Sequence, residues 1–86
     1  MKGTTSTGFT FELPDDVMND MELFEDLRAM DHGDPTAMVP VVQRLMGDQK
    51  KALYDHVRTE TGRVPIDKVT AEILEIFGLM KNGPKS

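Results

Sequence analysis

Proline and glycine cut this chain into short pieces, and that punctuation constrains its fold more than any other feature. Breakers stand at Pro14, at Gly33 and Pro35, at Gly47, at Gly62 and Pro65, and at Gly83 and Pro84. Proline removes a backbone donor and glycine accepts a left-handed turn, so regular elements end at such positions. The intervening pieces must therefore be short helices or strands. None contains an apolar run approaching the roughly 20 residues that cross a bilayer.

The pieces carry mostly helical periodicity. Asp15, Asp16, Asn19 and Asp20 supply helix-start chemistry, and Asn19 with Glu22 fits a capping-box pattern. The first helix is expected to end near Met30, with Leu23, Phe24, Leu27 and Met30 as its buried stripe and Glu22, Glu25, Asp26 and Arg28 outside. Asp34 can cap a second helix with Pro35 at its first position and Val39, Val42, Leu45 and Met46 as its apolar face; Pro40 predicts a kink or restart. Gly47 stops that helix. Asp48 then caps a third from Gln49 to about Thr61, with Leu53 and Val57 inward and Lys51–Asp55 and His56–Glu60 as four-residue-spaced pairs. The fourth is the most strongly patterned: Asp67 as cap, then Val69, Ile73, Ile76, Phe77 and Met80 on one face, and Lys81 complementing the helix dipole.

One segment departs from helical spacing. Phe9-Thr10-Phe11-Glu12-Leu13 alternates apolar and polar residues until Pro14. It is the only strand-like run, and a lone strand leaves its backbone groups unpaired. Two readings stay open: Phe9 and Phe11 form an edge for self-association, or they cap the helical core in extended chain. The expected fold is mainly α, a small four-helix domain over residues 9–81 with one short N-terminal strand or extended segment. Residues 1–8 and 82–86 are expected to be flexible tails, because they hold too little apolar surface to offset the entropy of ordering.

Composition then narrows function. A chain of 86 residues with no cysteine has a thin core and neither disulfides nor a thiolate nucleophile. Its net charge of −5 argues against a nucleic-acid surface, which needs clustered Lys and Arg. The start Met1-Lys2-Gly3-Thr4-Thr5-Ser6 has no apolar stretch like that of a secretory signal, so the cytoplasm is the expected location and no membrane contact is expected. His32 and His56 would need carboxylates from separate elements to hold zinc. The acidic residues mostly fall on caps and exposed faces, and Asp31, His32 and Asp34 lack the ligand pattern of a calcium loop. The glycines are scattered rather than gathered in a phosphate loop. The expectation is no catalysis, no metal, no cofactor, and action through protein contacts.

Seven methionines in so short a chain are adaptable apolar contacts. Met30, Met46 and Met80 fit helix stripes as core fillers, whereas Met18, Met21 and Met38 lie off the stripes. Met21, Leu79 and Met80 are the expected partner contacts, and Phe9 and Phe11 the expected self-association edge.

The order of these motifs resembles the tail assembly chaperones of long, non-contractile-tailed bacteriophages, across roughly residues 11–82. The similar parts are the acidic start Asp15-Asp16, the Asp34-Pro35 turn into a helix closed by Leu45-Met46-Gly47, Asp48-Gln49 leading to Leu53, Gly62-Arg63-Val64-Pro65, a final apolar helix, and Lys81-Asn82. The chain departs from the family in having room for one strand before the first helix, where members often have a fuller strand pair. The resemblance implies a protein that covers the long helical tape measure protein during tail morphogenesis in the host cytoplasm and is absent from the mature virion. It also implies the short, unshifted product of a frameshifted gene, the longer form recruiting the major tail (tube) protein; Gly83-Pro84-Lys85 is compatible with a slippery codon run. The alternative readings are a small head-tail connector retained in virions and an acidic regulatory or antitoxin-like binding protein.

Overall fold

The structure, a computed structural model, describes residues 1–81. It is mostly helical with a short two-stranded N-terminal sheet. The elements are β1 (Lys2–Thr4), β2 (Thr10–Glu12), α1 (Met21–Asp31), α2 (Met38–Met46), α3 (Lys50–Val57) and α4 (Ile66–Lys81). Four separate helices joined by loops do not follow from this. Single 3-10 turns at Pro35–Ala37 and Gly47–Gln49 lead directly into α2 and α3, so residues 35–57 form an almost unbroken run of helical turns. By its contacts the chain divides into two compact units, Leu13–Lys50 and the discontinuous pair Met1–Glu12 with Lys51–Ser86. The expected tail at 82–86 and the Lys81 side chain lie outside the described residues.

In the discontinuous unit, the expected tail at residues 1–8 is instead half of a hairpin. β1 pairs antiparallel with β2 in the register Lys2↔Glu12, Gly3↔Phe11, Thr4↔Thr10. The turn is closed by Thr5 N–H donating to Phe9 O at 2.8 Å and Gly8 N–H to Thr5 O at 2.9 Å. Gly8 sits at φ +93°, which a side chain would resist. Gly3 has a different reason to lack one: a Cβ there would lie 2.7 Å from Phe11 Cζ, so the ring occupies the space beside the glycine. β1 buries no large side chain, and its role is to satisfy backbone groups of β2.

The buried apolar residues of this unit are Phe9, Phe11, Leu53, Val69, Ile73 and Ile76. On α4 the spacing of Val69, Ile73 and Ile76 matches the expected stripe, while Phe77, Leu79 and Met80 are half-buried. Asp67 is the second residue of α4 rather than its cap. α3 ends at Val57, earlier than expected, because a turn intervenes: Thr59 N–H donates to Arg63 O at 2.8 Å and Gly62 N–H to Thr59 O at 2.9 Å. Glu60 therefore lies beyond the helix, and its juxtaposition with His56 on one helix face is lost. The Lys51–Asp55 pair is present at 3.0 Å, and Arg58 joins it by reaching both Asp55 and the carbonyl of Gly62.

In the unit Leu13–Lys50, the cap of α1 is Asp20, one residue after the expected Asn19. Its carboxylate accepts from Glu22 N–H at 2.9 Å and Leu23 N–H at 3.2 Å. α1 turns its Leu23, Leu27 and Met30 side inward, at steps of four and three, and this stripe is narrower than expected because Phe24 lies off it, 63% exposed. Asp34 caps the 3-10 turn through Thr36 N–H at 3.0 Å, with Pro35 first, as its spacing predicted. The change of helical geometry falls at Met38 rather than Pro40. Pro40 is the third residue of α2, within the first turn, where N–H groups have no partner inside that helix. α2 buries Met38, Val41, Val42, Leu45 and Met46; Met38 is thus interior, whereas Val39, expected inside, is exposed. Gly47 ends the helix at φ +53°. Across the α1–α2 pair Arg44 reaches Glu22 at 3.1 Å and Asp26 at 3.3 Å.

Candidate partner-binding surface

Among the described residues one arrangement of side chains stands out in each unit, and the two differ in kind. In the discontinuous unit the hairpin turn is tied to α4 by two carboxylates. Glu75 accepts from both the amide and the hydroxyl of Ser6, and Glu72 Oε2 accepts from the Thr7 hydroxyl. Thr7 Oγ1 also lies 2.9 Å from His56 Nε2 and 3.1 Å from Thr5 Oγ1, and the His56 ring stands 5.5 Å from that of Phe9.

Proton counting fixes the roles in this cluster. With Glu72 ionised, the single hydroxyl hydrogen of Thr7 goes to Glu72, and His56 Nε2–H and the Thr5 hydroxyl then donate to Thr7 Oγ1. Thr5 Oγ1 in turn accepts from Phe9 N–H at 3.2 Å. A histidine that donates to a hydroxyl cannot take that hydroxyl's proton, so the trio does not have the polarity of an activated nucleophile. Glu72 is 4% exposed and its Oε1 has no hydrogen-bond partner among the described residues. Its depth was not foreseen, since the sequence shows only a charged residue beside a stripe. Among the described residues no three potential ligands gather to hold a metal ion.

In the unit Leu13–Lys50 the arrangement is a surface. Met21 is 69% exposed and Phe24 63%, three residues apart on the outward side of α1, and Met18 is exposed in the turn before it. An open groove runs beside Met21 between Pro14, Asp16, Asp20, Glu22 and Arg44. The charge is unevenly divided between units. Leu13–Lys50 holds nine acidic residues against three basic, a net of −6, whereas the other unit holds six against seven, a net of +1.

Two exposed carboxylates are held below the usual aspartate range. The Thr36 hydroxyl and then its amide do this at Asp34, and hydrogen bonds from Lys51 and Arg58 do it at Asp55. Both are local structural devices, outside the groove.

Of the residues singled out from the sequence, Met21 is exposed on the acidic unit. Leu79 and Met80 belong to the other unit and are half-buried on α4. Phe9 and Phe11 are buried, and the premise that made them an edge, an unpaired strand, does not hold. Phe24 was missed as a surface residue; its three-residue step from Met21 was the available signal. The described helices include none long and apolar enough to cross a membrane. Comparison of the chain with family models, curated proteins and solved structures gives no match.

Proposed function

We propose that this protein is a bacteriophage tail assembly chaperone that binds and solubilises the tape measure protein during tail morphogenesis. The observation that carries the reading is the coincidence of exposed Met18, Met21 and Phe24 with the unit that holds the chain's negative charge. A long coiled-coil protein exposes apolar stripes before its tube forms around it. Adaptable methionine and aromatic contacts can cover such stripes, and the acidic charge keeps the complex soluble. The hairpin of β1 and β2 also supports the reading, because it removes the departure noted in the sequence, a single strand where family members often have a pair.

Under this proposal α1 to α4 form the four-helix body of the short, unshifted product, working in the host cytoplasm and absent from the finished virion. A longer frameshifted form would recruit the tail-tube protein. Coexpression with the tape measure protein encoded downstream tests the central claim: the soluble fraction of that protein should rise and the two should copurify. An unchanged soluble fraction with no copurification would refute it. Reading the source DNA from the Lys81 codon onward tests the second claim, which requires an overlapping −1 frame entered at a slippery heptamer.

A further inference from the structure

We infer that the unit Leu13–Lys50 alone supplies the docking face, and that its occupant is an amphipathic helix whose apolar stripe is flanked by lysine or arginine. The inference rests on the chaperone reading for its biological partner but not for its chemistry. Three observations converge on it. Met21 and Phe24 are large, more than half exposed, and on one side of a helix, the presentation expected of anchors that enter a partner's apolar stripe. The groove beside Met21 is rimmed by Asp16, Asp20 and Glu22. Arg44, its one cation, is already engaged with Glu22 and Asp26, so the groove presents negative charge to an arriving helix.

Charge decides the kind of helix. An apolar helix with acidic flanks would bring like charges against a unit of net −6, whereas basic flanks meet complementary ones. The same reasoning demotes Leu79 and Met80. They are half-buried, and the exposed apolar residues of the same unit, Ile66 at 76% and Leu74 at 55%, share its net charge of +1, which gives a basic helix no reason to settle there.

The test uses the full chain and two synthetic helical peptides of about 20 residues, long enough to hold helix in water. Both carry leucine at heptad positions a and d; one has lysine at e and g, the other glutamate. Titration calorimetry and amide chemical-shift mapping should show the lysine peptide binding, with shifts concentrated in residues 14–30, and the glutamate peptide failing to bind. Met21→Ser with Phe24→Ser should weaken binding about 30-fold, the scale of losing about 2 kcal/mol of anchor contacts. Both side chains are exposed, so circular dichroism should be unchanged. Charge attraction alone predicts a different result, in which the lysine peptide binds the double variant equally well, and that result overturns the proposal. So does mapping to α4, or equal binding of the glutamate peptide. Coexpression with the tape measure protein is read separately. If that fails while the lysine peptide binds at Met21 and Phe24, the docking chemistry stands and the identity of the partner falls.

Discussion

Replacing Gly3 by alanine should destabilise this protein, against the usual effect of that change. In extended chain at negative φ, Gly→Ala commonly stabilises by about 0.4–1 kcal/mol, because the unfolded chain has less entropy to lose. At Gly3 the new methyl would stand 2.7 Å from Phe11 Cζ, 3.1 Å from Cε1 and 3.4 Å from Cε2. Phe11 is 1% exposed, so its ring has no solvent into which to retreat. Forcing one carbon into such a site costs about 1–3 kcal/mol, and the middle of that range less the middle of the entropic gain leaves a net loss of about 1.3 kcal/mol. For a domain of this size each kcal/mol shifts Tm by about 4–8 °C, so a fall of roughly 5–10 °C is expected. Urea unfolding followed by circular dichroism, with the slope checked for constancy, measures the loss. Phe11→Leu in the same chain removes the ring edge, and the Gly3→Ala penalty should shrink in that background, giving a measurable coupling energy. If Gly3→Ala alone raises Tm, the ring moves freely and does not hold the space beside Gly3.

Three further expectations concern the rest of the fold. Thr7→Val removes the donor to the buried Glu72 carboxylate, whose other oxygen already lacks a partner, and should cost about 1–3 kcal/mol in urea unfolding; Glu72→Leu in that background should recover part of it. Asp20→Ala strips the cap from α1 and should lower stability by about 1 kcal/mol, while Asn19→Ala, at the position the sequence favoured, should leave the urea midpoint within experimental error. Asp34 and Asp55 have lowered folded-state pKa values, so their contribution is present above the ordinary aspartate pKa and is lost as pH falls through the folded one; Asp34→Asn with Asp55→Asn should flatten the acid limb of a urea-midpoint profile, and an unchanged limb would count against these contacts.

Much of the helical architecture was legible because its signals are local. α4 shows its stripe at Val69, Ile73 and Ile76, and Asp34-Pro35, Gly47 and Gly62 mark turns by their own backbone chemistry. β1 was not legible, since its residues bury almost nothing and become a strand only by pairing with β2. Phe24 looked buried because a stripe's width is set by what covers it, and that is absent from the spacing. Glu72 is the clearest case: its depth is matched to a threonine 65 residues away in sequence. Met21 could be singled out as a surface contact because it fell outside every periodic stripe, yet the groove beside it depends on the turn at residues 14–19 and could not be read.

The bond between Thr7 and Glu72 also sets a timetable. At about 5–20 residues per second, a ribosome that has made Thr7 needs roughly 3–13 s to deliver Glu72. Until then the hairpin has no carboxylates to hold its turn, and Phe9 and Phe11 ride on the nascent chain without the helix residues that later share their unit. The continuous segment Leu13–Lys50 has no such wait, so the acidic segment can be finished while residues 1–12 are still unsheltered. A stop codon placed before Glu72 would leave the β1–β2 pair without its clasp, and a ribosome stalled there would display those two aromatic rings to the cell's holdases.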